Sequence, residues 1–191
     1  MIIKHVASIC KRDRCMILYD DKSSENAAQW LSATGAVYPL QNMPKLDEKN
    51  IFTVFDITSK QIEKITFRRD TLPEKIDFRD VVECENVLEP NGIEIGTDGK
   101  TLIVLHTSQG IRFIDKEYLR PLSDYDMDTL RFYERTSTGG QLYIAVKAGM
   151  MLEAIIAPFN AVNDKFVEKL QEITKDCEIA LSIKKRKEGN A

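Results

Sequence analysis

At 191 residues, 43% hydrophobic and 30% charged, the chain can bury one sizeable core and lacks the composition of a disordered segment. A formal net charge of −3 excludes a general attraction to nucleic acid and leaves room only for a local basic face. Its longest apolar run, residues 150–157 interrupted by Glu153, falls far short of the roughly 20 residues of a membrane helix, so no membrane partner is expected.

Residues 2–11 place Ile2, Ile3, Val6, Ile9 and Cys10 at helical spacing, and Lys11-Arg12-Asp13-Arg14 suits the negative end of a helix dipole. Residues 16–19 read as a strand, 20–26 as a polar turn, and 29–31 with 36–40 as a hairpin about Thr34-Gly35. Residues 46–57 look helical, and Thr58 with Gln61 matches a capping box for a further helix. From Phe67 to Val87 the mixed charges and Pro73 predict a loop-rich but packed connection.

Strands follow at 93–95 and 101–105, joined through Asp98-Gly99, and a third at 111–114. Asp115 caps a short helix over residues 116–122 that Pro121 limits. Three more strands are predicted at 129–134, 141–146 and 152–157. The last element is an amphipathic helix whose stripe contains Val162, Phe166, Val167, Leu170, Ile173, Cys177 and Leu181, with a basic tail beyond it.

Sites of chemistry are sparse. Gly96-Thr97-Asp98-Gly99-Lys100-Thr101 lacks the first glycine of a phosphate loop and leads into a strand, so it is a hairpin turn. His106 stands beside Thr107 and Ser108, but no nucleophile elbow is present, and the histidine is expected to end a strand. Asp124, Asp126 and Asp128 lack the glycine and register of a calcium loop and read as a solvated turn. Cys10, Cys15, Cys84 and Cys177 have no CxxC spacing, and His5 is expected at the surface. Trp30 and Tyr143 are assigned to the core. The expectation is a non-enzyme without metal or cofactor, with reduced thiols, no secretory leader and a cytoplasmic location.

The two ends echo each other. Residues 4–39 and 116–158 each read helix, strand, strand, strand. This plan resembles the half-domains of DNA sliding clamps, most closely from Ile111 to Phe159, where Phe113-Ile114-Asp115-Lys116-Glu117-Tyr118-Leu119 is similar to their strand-then-helix opening. The whole chain also resembles an uncharacterised family of bacterial mobile-element and prophage proteins. The clamp resemblance implies an α+β domain of two α-β-β-β units, pseudo-symmetric, over residues 1–183. The units are 1–43 and 111–159, the connection 44–110, the terminal helix 161–182, and the disordered basic tail 184–191. It further implies a non-catalytic binding module that contacts double-stranded DNA, or a replication protein of a mobile element, as a homo-oligomer. Lys4, Lys11, Arg12, Arg14, Lys116 and Arg120 would meet the DNA backbone without reading bases. The alternative is a protein–protein interaction or regulatory protein with no nucleic-acid contact.

Overall fold

A computed structural model describes residues 1–21, 29–83, 85–97 and 99–188. Cys84, Asp98, most of the polar turn after Asp20 and the final residues 189–191 lie outside these. The chain divides into two compact units, Met1–Phe159 and Asn160–Ala191.

The first unit is α+β. Helix α1 (Ile3–Asp13) buries Val6, Ala7, Ile9 and Cys10, carries Lys11 and Arg12 in its last turn, and stops at Arg14. Arg14 sits in the left-handed region (φ 52°) and its N–H donates to the Cys10 carbonyl, closing the helix. Strand β1 (Cys15–Asp20) follows, then the hairpin β2 (Gln29–Ser32) and β3 (Ala36–Pro39).

Two stretches differ from the sequence reading. Residues 46–57 form only one helical turn, α2 (Ile51–Val54). The Asp47 carboxylate accepts from the N–H groups of Lys49 and Asn50, a local turn that competes with the helix, and Asp56 leaves it at φ 50°. α3 (Ser59–Ile62) does carry the Thr58/Gln61 capping box. The supposed loop after it begins with a strand, β4 (Thr66–Thr71), parallel to β1 with Cys15 opposite Thr66 and Asp20 opposite Thr71. An irregular segment, residues 72–83, precedes β5 (Asn86–Leu88).

A three-stranded antiparallel sheet comes next: β6 (Pro90–Thr97), β7 (Lys100–Thr107) and β8 (Gly110–Asp115). The helix at Lys116–Leu122 is a 3₁₀ helix; Asp115 caps it by accepting from the Glu117 N–H, and Pro121 has no N–H to continue an α ladder. Strands β9 (Leu130–Thr136), β10 (Leu142–Ala148) and β11 (Met151–Ile156) complete the unit.

The large sheet has eight strands in the order β4-β1-β2-β3-β11-β10-β9-β5. Its middle seam is β3 against β11, antiparallel, with Val37 opposite Ile155 and Ala36 opposite Ile156. Alternation splits the core in two. Met16, Leu18, Leu31, Ile144, Val146, Ala154 and Ile156 join α1, the 3₁₀ helix and α2 on one face. Trp30, Tyr143, Ala145, Leu152 and Ile155 line the other. A bulge between Val146 and Lys147 shifts the β10–β11 register.

The second unit is α4 (Asp164–Glu188), which runs past the expected end at 182 into the residues read as a tail. Asn163 Oδ1 accepts from the Phe166 N–H at 3.0 Å and so satisfies one donor of its first turn. Among the described residues no helix is long and apolar enough to cross a membrane.

Candidate nucleic-acid interface

The six basic residues of the sequence reading lie on two elements that pack together. The Ile2 N–H donates to the Pro121 carbonyl at 2.6 Å, and His5 Nδ1 lies 2.9 Å from the Arg120 carbonyl, so α1 and the 3₁₀ helix share one side of the sheet. Lys4 and Ser8 stand exposed on α1 one turn apart. Lys11 Nζ donates to the Asp56 carbonyl at 2.9 Å. Arg14 closes α1 with its side chain exposed.

The other three are in ion pairs. Arg12 Nη1 reaches the buried Asp115 Oδ2 at 3.1 Å, its Nε reaches Asp13 Oδ1 at 2.8 Å, and its guanidinium lies over the Tyr118 ring. Lys116 Nζ meets Glu94 at 2.6 Å, and Arg120 meets Glu117 at 3.4 Å. Asp13 adjoins Arg12 in the sequence, whereas Glu94 on β6 and Asp115 at the end of β8 become partners only through the fold. The face is therefore mixed in charge, with Lys4, Lys11 and Arg14 outside the acid pairs.

Arg12 is a structural residue as much as a surface charge. Its partner network continues through Tyr118, whose hydroxyl donates to Asp13 Oδ2 at 3.1 Å and whose carbonyl accepts from the Tyr38 hydroxyl at 2.8 Å. Burial, reinforced by Asp13, pushes the Tyr118 hydroxyl up to about 12, so it remains a donor at neutral pH. The same ring lies over Gly35 at the β2–β3 turn; a Cβ there would stand 2.6 Å from the Tyr118 oxygen.

The opposite face of the sheet is covered differently. Residues 72–83 form a strap across it. Phe78 meets Trp30 edge to face, with ring centroids 4.9 Å apart. Polar groups pin the strap. Arg135, buried on β9, donates from Nη1 to the carbonyls of Asp77 and Arg79, from Nη2 to that of Asp80, and from Nε to Glu85 at 2.8 Å. Lys147, also buried, pairs with the other oxygen of Glu85 and lies over the Tyr133 ring. Asp80 Oδ1 accepts from the Leu152 N–H, and the Tyr143 hydroxyl accepts from the Asp77 N–H.

Between strap and sheet lies an open groove of about 1090 Å³, with Trp30, Leu72, Ile76, Phe78, Tyr143 and Leu152 in its walls. The buried Nε1 of Trp30 has no hydrogen-bond partner among the described residues. The groove can take apolar groups, and charges in its wall are already engaged, Arg135 with the strap carbonyls, Glu134 with the Ser108 N–H and Asp20 with Arg69. Asp77 is held below its ordinary 3.8 by hydrogen bonds from Arg79, and Asp20 by those from Arg69.

His106 is exposed on β7, and Trp30 and Tyr143 are buried as expected. Among the described residues no three of His, Cys, Asp and Glu gather where a metal ion could be held. No protein-family model, curated protein or solved structure matches the chain.

Proposed function

We propose that the chain is a non-catalytic, clamp-like module that holds double-stranded DNA by its phosphates. The observation that carries the reading is the strand order. It runs β1-β2-β3 and then β11-β10-β9, so the last strands of two helix-strand-strand-strand units meet at the middle seam. The helices that open those units, α1 and the 3₁₀ helix, pack side by side on one face of the sheet, and Lys4, Lys11, Arg12, Arg14, Lys116 and Arg120 lie on them or at their ends. Exposed ion pairs such as Arg120–Glu117 stabilise by about 0–1 kcal/mol, so exchanging a carboxylate for a DNA phosphate costs little. A replication partner of a mobile element and assembly into a homo-oligomer belong to the same reading.

Fluorescence anisotropy with labelled duplex DNA, repeated across salt concentrations, tests it. Binding is expected to weaken with salt at a slope near −0.9 per phosphate contact. Lys4→Glu combined with Arg120→Glu is expected to weaken it at least tenfold while leaving the Arg12–Asp115 pair intact. Unchanged affinity in that variant would sink the assignment.

A second reading, a protein-interaction module that does not touch nucleic acid, is favoured by the apolar groove under the strap. It predicts no anisotropy change with any duplex, and a partner whose capture is lost on Trp30→Ala.

A further inference from the structure

Helices in proteins draw most of their stability from packing an apolar face, so the stripe of the 25-residue α4 calls for a partner. Its described side chains are exposed apart from a half-buried Phe166, with Ile173 at 58%. Phe166, Leu170, Ile173, Cys177 and Ala180 recur at spacings of four, three, four and three, the seam of a coiled coil. Lys169 and Asp176 flank that seam at equivalent heptad positions. Seven residues apart, they are separated by about 10.5 Å along one helix and cannot pair with each other on it.

We propose that α4 is a self-association helix that pairs antiparallel with α4 of a second copy of this chain. The charges select this direction. When the helices are aligned so that Leu170 packs on Ile173 of the second copy, Phe166 packs on its Cys177, and the reciprocal layers follow. In that alignment Lys169 faces Asp176 of the second copy and Asp176 faces its Lys169, two symmetric ion pairs. Val167 meets Thr174 on the other flank and extends the dry seam. A parallel, in-register pair leaves both charges without an opposite number and sets Lys184 beside its own equivalent in the seam. Four layers bury less than about 1,200 Å², which places the dimer among transient, concentration-dependent associations.

Self-association through α4 deepens the homo-oligomer part of the proposed function, and its readout is separate from DNA binding. Sedimentation equilibrium of the full chain over a wide concentration range should show monomer and dimer in exchange. Ile173→Asp should abolish the dimer with the circular dichroism of the first unit unchanged. Lys169→Glu should weaken it about tenfold by replacing two attractive pairs with two repulsive ones, and Lys169→Glu with Asp176→Lys should restore it. Under oxidising conditions Phe166→Cys should yield a dimer cross-linked to Cys177 of the second copy, absent when Cys177→Ser is added. A monomer at every concentration would overturn the proposal. So would a larger assembly indifferent to Ile173→Asp, or a Cys177–Cys177 cross-link in the unmodified chain, which would mark a parallel pair.

Discussion

The two faces of the eight-stranded sheet are closed by opposite means. On the helix face, α1 and the 3₁₀ helix press a continuous apolar layer onto the strands, and polar groups such as Tyr118 and Asp115 sit at its margin with their partners supplied. On the strap face, a short irregular segment lies over a thin apolar patch and is fastened by one buried arginine. The first face resists by area and the second by a few directional bonds. A cover held by bonds can be released in one step, whereas a packed layer yields only with the whole core.

That contrast is most sharply broken at Arg135. Arg135→Met leaves the carbonyls of residues 79 and 80 without their donor and that of Asp77 with only the Tyr143 hydroxyl at 3.4 Å, and is expected to cost about 3–5 kcal/mol and to free the strap to protease. Lys147→Met should cost clearly less. Two buried cations share the single carboxylate of Glu85, and its removal leaves a matched pair. Urea melts with limited proteolysis would decide, and equal losses in the two variants would refute the clasp.

The helix face should fail by crowding. Gly35→Ala drives a methyl group into the Tyr118 ring and is expected to cost about 1–3 kcal/mol, visible as a drop in Tm without exposure of the strap. Retention of full stability would mean that the turn shifts away at no cost.

The smallest effect separates the faces by pH. Burial pushes the Cys10 thiol on the helix face from 9.0 up to about 12, above its unfolded value. Keeping it neutral therefore stabilises the fold fully below pH 9, and that contribution is lost as pH climbs toward 12. On the strap face Asp77 lies below its unfolded 3.8, so its contribution is present above that value and is lost as pH falls through its folded value. Thermal melts should weaken at both extremes, with Cys10→Ala flattening only the alkaline limb and Asp77→Asn only the acid one.

How much of this was legible depended on whether the signal was local. The strands β9 to β11, the Thr58 capping box and the Asp115 cap announce themselves within a few residues. β4 does not: it is an edge strand whose Arg68, Arg69, Asp70 and Thr71 face solvent, so it lacks the alternation that betrays a half-buried strand. The turn of helix at Ile51–Val54 was over-read because apolar spacing cannot see Asp47 capturing the backbone ahead of it. In the candidate interface the basic residues and the neighbouring acids Asp13, Asp115 and Glu117 were visible, but the long-range pairings were not. Arg12 and Asp115, or Lys116 and Glu94, come together only through the fold. The strap clasp was equally hidden, because Arg135 reads in sequence as one more strand charge.

The seam between β3 and β11 has a consequence for the growing chain. Ala36 and Ile156 pair across about 120 residues, so at 5–20 residues per second a ribosome needs roughly 6–24 s to deliver the second strand after the first. Through that interval β1, β2 and β3 can associate, but one side of β3 offers bare backbone donors and acceptors beside the apolar Val37. Synthesis of this protein therefore includes a window in which its future centre is an unprotected rim, open until β11 is delivered.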